Sequence, residues 1–165
     1  MTLAVLAFDT ATLTGVAYGR AGETPRAWSV DLGKVAWEAR FSKTLRMTAH
    51  YIDKFRPDLV AVEAFVGGPK ANTDLAGLVA CVKGEAHRRG VPVVAYYPAT
   101  IRKYFLGGVP RSSQGQVKAL VMAKCRMLGW NVPDNDAADA LALWDFACSQ
   151  HSRAHQMLSV GGLFK

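Results

Sequence analysis

Apolar residues along the first third of the chain fall into short runs separated by polar turns. The run from Leu3 to Phe8 predicts a buried strand. Gly15 to Arg20 and Arg26 to Asp31 predict two more strands, and the Gly- and Pro-containing stretch 22–25 between them predicts a turn. We therefore expect the chain to open with three antiparallel strands.

The rest of the chain alternates helical and strand patterns. Apolar residues with helical spacing predict a first helix over Val35 to Phe55, followed by a strand over Leu59 to Val62. The remaining predicted elements are a helix from Thr73 or Asp74 to Arg89, a strand over Pro92 to Tyr97, and helices over Pro98 to Phe105, Gln114 to Leu128, and Pro133–Asn135 to about Ser149. Helical crossovers join parallel strands, so the pattern predicts an α/β fold: a five-stranded mixed sheet, three antiparallel strands then two parallel strands, with helices on both faces.

The length of 165 residues favours a single domain over residues 1–150, with a flexible tail at 151–165. The formal charge of +7 favours a polyanionic partner such as nucleic acid. The chain has no apolar run long enough for a membrane helix and no features of a signal peptide. Its three cysteines form no CxxC pair, which argues against a zinc site and for a cytoplasmic protein.

Two of the predicted buried strands end in a carboxylate, at Asp9 and at Glu63. Either acid alone could simply cap a turn. If the two strands are parallel neighbours, however, their carboxyl ends meet at one edge of the sheet, where ligands bind in open α/β folds. Ala7 and Ala61 each lie two residues before the acid and therefore on the same face of the strand, so small side chains would leave room beside both carboxylates.

Two more acids open the last predicted helix. Asp136 and Asp139 are three residues apart and project from one helical face. A favourable interaction with the helix dipole explains an acid in the first turn, but it explains Asp139, in an alanine-rich apolar segment, less well. Four converging carboxylates would repel one another unless cations bind. Oxygen ligands without His or Cys suit Mg²⁺ or Mn²⁺, and two such ions roughly 4 Å apart can promote phosphodiester hydrolysis.

Several segments together resemble the RuvC-type Holliday-junction resolvases, with a length closer to the phage-type branch. These segments are FDTATLTGVAYG, VEAF, YPATIRKYFLGG, QVKALVMAKCRMLGW and DNDAADALALWDFA, in the family's order over residues 3–149. The most specific is D-A-A-D-A-L-A-L at Asp136 to Leu143. The resemblance implies a ribonuclease H-like fold and a homodimer that nicks four-way DNA junctions symmetrically in recombination and repair, in a bacterial or phage-infected cell. It assigns catalysis and the binding of two Mg²⁺ ions, replaceable by Mn²⁺, to Asp9, Glu63, Asp136 and Asp139.

The chain departs from the family where a functional lysine normally precedes the penultimate helix. Gln114 occupies that position, so Arg111 or Lys118 is expected to supply the positive charge. Phe65 corresponds to the family's loop aromatic near the junction centre. Candidate phosphate contacts are Lys70, Arg102, Lys103, Arg111 and Lys118. We expect Arg111→Ala to weaken junction binding more than cleavage; undiminished junction affinity at physiological salt would contradict this.

The helix predicted from residue 73 to 89 carries apolar residues around most of its circumference. One apolar stripe would serve the core, and a second could be buried against another copy of the chain. The candidate dimer contacts are Leu75, Leu78, Val79 and Val82. The alternative is a helix that the protomer itself covers completely.

Three other functions fit parts of the pattern. A nuclease of the same fold could act on flaps, forks or RNA–DNA hybrids. An actin/hexokinase-like phosphate-binding protein would share the opening D-x-x-x-x-T-G from Asp9 to Gly15, but it normally needs a second, duplicated domain. A catalytically inactive nucleic-acid scaffold would not need all four acids.

Overall fold

The computed structural model describes residues 2–108, 113–153 and 155, and it contains the ten elements that the sequence predicts. Three strands come first: β1 (Ala4–Asp9), β2 (Leu13–Arg20) and β3 (Arg26–Asp31). The others are α1 (Trp37–Phe55), β4 (Leu59–Glu63), α2 (Asp74–Arg88), β5 (Val93–Tyr96), α3 (Pro98–Leu106), α4 (Gln114–Met127) and α5 (Asn135–His151). Their ends lie within one or two residues of the predicted ones.

The five strands form one mixed sheet in the order β3-β2-β1-β4-β5. β1 and β3 both run antiparallel to β2, which lies between them, whereas β1, β4 and β5 are parallel. In this register Ala7 lies opposite Ala61, and Asp9 lies opposite Gly15. The predicted sheet is confirmed, with β1 and β4 as its buried central pair.

Alternating side chains of β1 and β4 divide the apolar core into two layers. One layer contains Val5, Ala7 and Ala61 and packs against α5, with α3 and α4 contributing Phe105 and Val121. The other layer lies beneath α1 and α2 and contains Leu6, Phe8, Val60 and Val62. Because residues alternate sides along a strand, Asp9 and Glu63 continue the row that faces α5.

Helix α5 is the most deeply buried helix of the described chain, and its alanines allow it to lie close against the sheet. Trp144 is fully buried and its indole N–H donates to the carbonyl oxygen of Gly19, at 3.3 Å. This contact fixes the middle of α5 over β2. No helix in the described ranges is long and apolar enough to cross a membrane.

The start of the predicted flexible tail needs a correction. Helix α5 continues to His151, and His155 is buried, with Nε2 2.7 Å from a carboxylate oxygen of Asp145. The backbone N–H of Gly22 donates to Nδ1 of the same imidazole at 3.2 Å. A buried polar ring with fixed partners ties the chain to the domain beyond residue 150. Residues 156–165 lie outside the described residues.

Candidate metal and nucleic-acid site

The ends of β1 and β4 bring Asp9 and Glu63 to the same edge of the sheet. The parallel register pairs Phe8 with Val62, so the acid that follows each of these residues occupies an equivalent place on its strand. Both acids are half-buried and both follow strands whose preceding residues are fully buried. The convergence expected from strand phase is therefore present in the structure.

Two hydrogen bonds to one side chain fix the point at which α5 begins. Asp134 is the N-cap, and its carboxylate accepts from the backbone N–H of Ala137 at 2.8 Å. The same oxygen accepts from the hydroxyl of Ser29 on β3 at 2.6 Å. Capping sets the start of a helix, and the Ser29 bond ties that start to the sheet. Asp136 and Asp139 are thereby held at the edge where Asp9 lies.

Gly15 allows the closest approach between the sheet and α5. A Cβ atom on Gly15 would lie 1.9 Å from the carbonyl oxygen of Asp136, a distance that no side chain can occupy. Gly15 is also the cross-strand partner of Asp9. The absence of a side chain at this one position therefore places the acids of β1 and of α5 side by side.

Burial and mutual repulsion perturb the carboxylates strongly. Desolvation raises the pKa of Asp9 well above its usual value, and the charges of Glu63, Asp139 and Asp136 raise it further. Desolvation likewise raises the pKa of Glu63 to about 7 and shifts that of Asp139, which is 7% exposed, upward. Perturbed carboxyl groups gathered at a sheet edge are typical of a functional site.

Among the described residues, Arg102 on α3 and Lys118 on α4 are the cations that oppose this repulsion. The positive charge of Arg102 lowers the pKa values of Glu63 and Asp139. The charge of Lys118 lowers the pKa values of Asp9, Glu63 and Asp139. Two of the five predicted phosphate contacts therefore lie in the electrostatic field of the acids.

The donor chemistry of the cluster fits a hard divalent cation, because all four side chains offer carboxylate oxygens. Within the described residues, no three His, Cys, Asp or Glu side chains are already arranged around one ion position. The carboxylates are thus close enough to repel one another, but their oxygen atoms do not yet surround a single ion position. Binding of a cation would require them to draw together, and it would relieve the repulsion that raises their pKa values.

The other predicted DNA contacts fall in three places. Lys70 and Lys103 are exposed, and Phe65 is half-buried in the segment that follows β4. Arg111 lies outside the described residues, so its predicted role stays a prediction. Gln114 is the first residue of α4, one helical turn before Lys118.

The predicted dimer contacts on α2 need a correction. Leu78 and Val82 are fully buried inside the protomer, so they cannot contact a second copy. Leu75 and Val79 are half-buried, and Val79 packs against the layer under α1 and α2. The face of α2 that reaches solvent instead carries Ala80, Lys83, Gly84 and His87.

Sequence reasoning missed the contributions of Gly15 and Ser29. The sequence analysis named Gly15 only as the last residue of the opening D-x-x-x-x-T-G motif and assigned it no role. In the structure, its close approach to Asp136 positions the site. Ser29 sits in the middle of a strand pattern, and nothing in the local sequence indicates its bond to Asp134, 105 residues away.

Comparison with known proteins gives a consistent result. The family model for the crossover junction endodeoxyribonuclease RuvC matches residues 29–144. The structure of Thermus thermophilus RuvC in complex with a Holliday junction substrate is similar with a TM-score of 0.69 and 22% identity, covering 93% of this chain and 96% of that one. A second Thermus thermophilus RuvC structure has a TM-score of 0.64 and 24% identity, with coverages of 86% and 90%.

A more distant fold match is the yeast mitochondrial Holliday junction resolvase Ydc2. Its TM-score is 0.59 at 15% identity, and the match covers 93% of this chain and 82% of that one. Among curated proteins, none is significantly similar in sequence to this chain. These structural matches confirm the predicted ribonuclease H-like fold, and the family match removes the actin/hexokinase-like alternative.

Proposed function

Because the chain belongs to the RuvC family of crossover junction endodeoxyribonucleases, we propose that it resolves four-way DNA junctions by hydrolysing phosphodiester bonds with symmetric nicks. The observation that supports this reaction is the cluster formed by Asp9, Glu63, Asp136 and Asp139, in which burial and mutual repulsion raise the pKa of Asp9. A cluster of this kind is suited to binding cations beside a phosphate group.

Nucleases of this family depend on divalent metal ions. Our finer proposal is that the cluster holds two Mg²⁺ ions, which Mn²⁺ can replace, through Asp9, Glu63, Asp136 and Asp139. When bound, such ions supply Lewis-acid activation of the attacking water and stabilisation of the leaving 3′-oxygen. Partial burial of Asp9 and burial of Asp139 lower the local dielectric constant, which strengthens the attraction between carboxylate and cation.

Lys118 is the residue that we propose for the role of the family's usual lysine. The amide of Gln114 carries no charge, whereas the ammonium group of Lys118 acts on three of the four acids. A cation so placed can attract the scissile phosphate and stabilise negative charge that develops during cleavage. Arg102 acts on two of the acids and would assist from α3.

We also propose a homodimer, since two coordinated nicks in a two-fold symmetric junction require two active sites. The exposed face of α2 is the surface that supports it. Ala80 and Gly84 are four residues apart on this face, and small side chains let two helices approach closely. An isologous contact through α2 would relate the two acid clusters by a two-fold axis.

The decisive experiment compares cleavage of a synthetic four-way junction, linear duplex, flap and RNA–DNA hybrid in Mg²⁺, Mn²⁺ or EDTA. We expect paired nicks in the junction, in either metal, and none in EDTA. Preferential cutting of the flap or the hybrid would instead identify a same-fold nuclease with another substrate.

Two substitutions test the assignment of the acids. Asp9→Asn and Asp139→Asn should still bind the junction but should not cut it, because each loses a charged metal ligand. Glu23→Gln is the matched control, since Glu23 is an exposed acid in the turn between β2 and β3. Full cutting by either Asn variant would overturn the metal assignment.

A further inference from the structure

A cleft lies beside the edge strand β3, away from the four acids. It has a volume of about 470 Å³, within the range of small-ligand sites. Its walls come from three parts of the chain: β3, the last turns of α1, and the segment between α4 and α5. The residues that matter are Arg26, Trp28, Tyr51, Lys54, Phe55 and Asn131. We call this site the β3–α1 cleft.

Three aromatic side chains form one wall of the β3–α1 cleft. The ring centroids of Trp28 and Tyr51 are 5.1 Å apart, and those of Tyr51 and Phe55 are 5.9 Å apart with an interplanar angle of 20°. The indole N–H of Trp28 donates to the Tyr51 hydroxyl at 2.8 Å, which fixes the two rings relative to each other. All three residues are half-buried and pack against the core layer under α1 and α2. Tyr18 also stacks on Phe55, with ring centroids 4.3 Å apart and an interplanar angle of 14°. A flat ligand can therefore contact only the part of these rings that remains exposed.

Two exposed cations stand beside this wall. The guanidinium carbon of Arg26 is 5.7 Å from the centroid of the Phe55 ring, and the ammonium nitrogen of Lys54 is 5.3 Å from it. Within the described part of the chain, neither cation forms a salt bridge with a carboxylate. Both charges are therefore available to an anion at the mouth of the cleft.

We propose that the β3–α1 cleft binds an unpaired nucleotide of a DNA strand, with the base against the aromatic wall and the phosphate near Arg26 and Lys54. Aromatic platforms flanked by cations are the general means by which proteins hold single strands. A base inside a duplex has both faces covered by its neighbours, so only an unpaired base could use Trp28, Tyr51 or Phe55. The exposed amide of Asn131 adds a donor and an acceptor for a base edge.

The cleft lies on the other face of the sheet from the four acids. Trp28 pairs across the sheet with Val16, which pairs with Phe8, the residue before Asp9. Trp28 is thus two strands away from β1, on the face opposite the one that Asp9 continues, and Arg26 is level with Leu6, further from the acids along the strands. This proposal rests on the proposed function only for the source of the strand; the cleft itself is independent of the acids and of any metal.

The test uses a fluorescein-labelled eight-nucleotide oligothymidylate, the full-length protein and EDTA, with binding followed by fluorescence anisotropy at several salt concentrations. Arg26→Gln/Lys54→Gln should weaken binding roughly tenfold and reduce the salt dependence, because phosphate contacts are lost. Arg20→Gln/Arg126→Gln removes two exposed cations elsewhere and should leave the affinity unchanged. Equal affinity of the cleft variant and the wild type would overturn the proposal.

Two further measurements address the base and its location. An abasic strand of equal length retains the phosphates and should bind at least tenfold more weakly; equal binding would mean that the cleft holds phosphate alone and would contradict the proposal. Photocrosslinking of a 5-iodouracil strand should label the peptide containing Trp28 or Tyr51. Crosslinks confined to other peptides would also overturn it.

The oligonucleotide assay also separates the two proposals. Asp9→Asn protein should bind the oligonucleotide like the wild type, whereas the Arg26/Lys54 variant should retain the acid cluster and the cleavage chemistry. If the wild type fails to cleave the junction, the proposed function alone is contradicted. If the Arg26/Lys54 variant binds the oligonucleotide as tightly as the wild type does, the cleft proposal alone is contradicted.

Discussion

Glu63 makes the stability of the metal-free protein depend on pH in a defined direction. Its pKa rises from an ordinary 4.5 to about 7 on folding, so the folded chain holds this proton more tightly than the unfolded chain does. That contribution to the free energy of unfolding is fully present below about pH 4.5 and is lost as the pH rises towards 7. We therefore expect the metal-free protein to become less stable across this window.

Urea unfolding in EDTA at several pH values between 4.5 and 8 measures this effect. Glu63→Gln should reduce the slope of the profile, with the remainder due to Asp9 and Asp139, whose pKa values are also raised. Mg²⁺ should restore stability to the wild type at pH 7.5 through binding to the folded state. Glu85 is the contrasting case: arginine contacts lower its pKa to about 2, so its stabilising contribution disappears only as the pH falls below 4.5. A wild-type stability that rises steadily between pH 5 and 7 would contradict the assignment to Glu63.

Lys118→Ala tests the charge that opposes the acids. Removal of a preorganised positive group near developing charge costs on the order of a hundredfold in rate, whereas one lost phosphate contact costs little affinity. We expect single-turnover junction cleavage to fall by roughly that factor while junction binding remains close to wild type. Lys118→Arg should recover part of the rate.

Arg126→Ala, near the other end of α4, is the control because it removes an exposed cation from the same helix. If Lys118→Ala cleaves the junction as fast as Arg126→Ala does, Lys118 does not replace the family's lysine. Arg111 would then be the next residue to test for that role.

The contact between β2 and α5 predicts a measurable effect of one added methyl group. Gly15→Ala would bring a Cβ against the carbonyl oxygen of Asp136, so the start of α5 must shift. Overpacking of this kind costs about 1–3 kcal/mol, which lowers the melting temperature by a few degrees in a chain of this size. Cleavage should fall further than stability alone explains, because Asp136 and Asp139 move with the helix.

Gly68→Ala is the matched control, since nothing lies within 4 Å of a Cβ at Gly68. Calorimetry and single-turnover cleavage would give the two readouts. Wild-type cleavage by Gly15→Ala would show that the close approach does not position the acids.

Strands and helices with a clear periodic spacing of apolar residues were predictable from the sequence. The way in which these elements pack against one another was harder to predict. Buried strands ending in acids and a helix with acids three residues apart were enough to place Asp9, Glu63, Asp136 and Asp139 together. The pattern of α2 could not show which apolar side meets the sheet, and Leu78 and Val82 were therefore assigned to the wrong surface. His155 looked like a tail residue because only the folded structure supplies Asp145 as its partner.

The choice among the basic residues likewise needed the fold. Nothing in the sequence around Lys70, Arg102, Lys103, Arg111 and Lys118 shows which of these cations lies nearest to the acids. Only the packing of α3 and α4 around α5 distinguishes Arg102 and Lys118, whose charges act on the buried acids. Sequence predicted the chemistry of the site, and the fold selected its cationic neighbours.

The whole molecule combines a net charge of +7 with a concentrated acidic centre, and a two-fold assembly would present two such centres to one junction. Ala80→Glu tests that assembly, because an isologous contact would bury the new charge twice. We expect a shift from dimer to monomer in sedimentation velocity and, on a supercoiled plasmid carrying a cruciform, nicked circles in place of linear product. Ala39→Glu introduces the same change at an exposed alanine of α1 and should leave both readouts unaltered. A dimer that survives Ala80→Glu with coordinated cutting intact would place the interface elsewhere than the exposed face of α2.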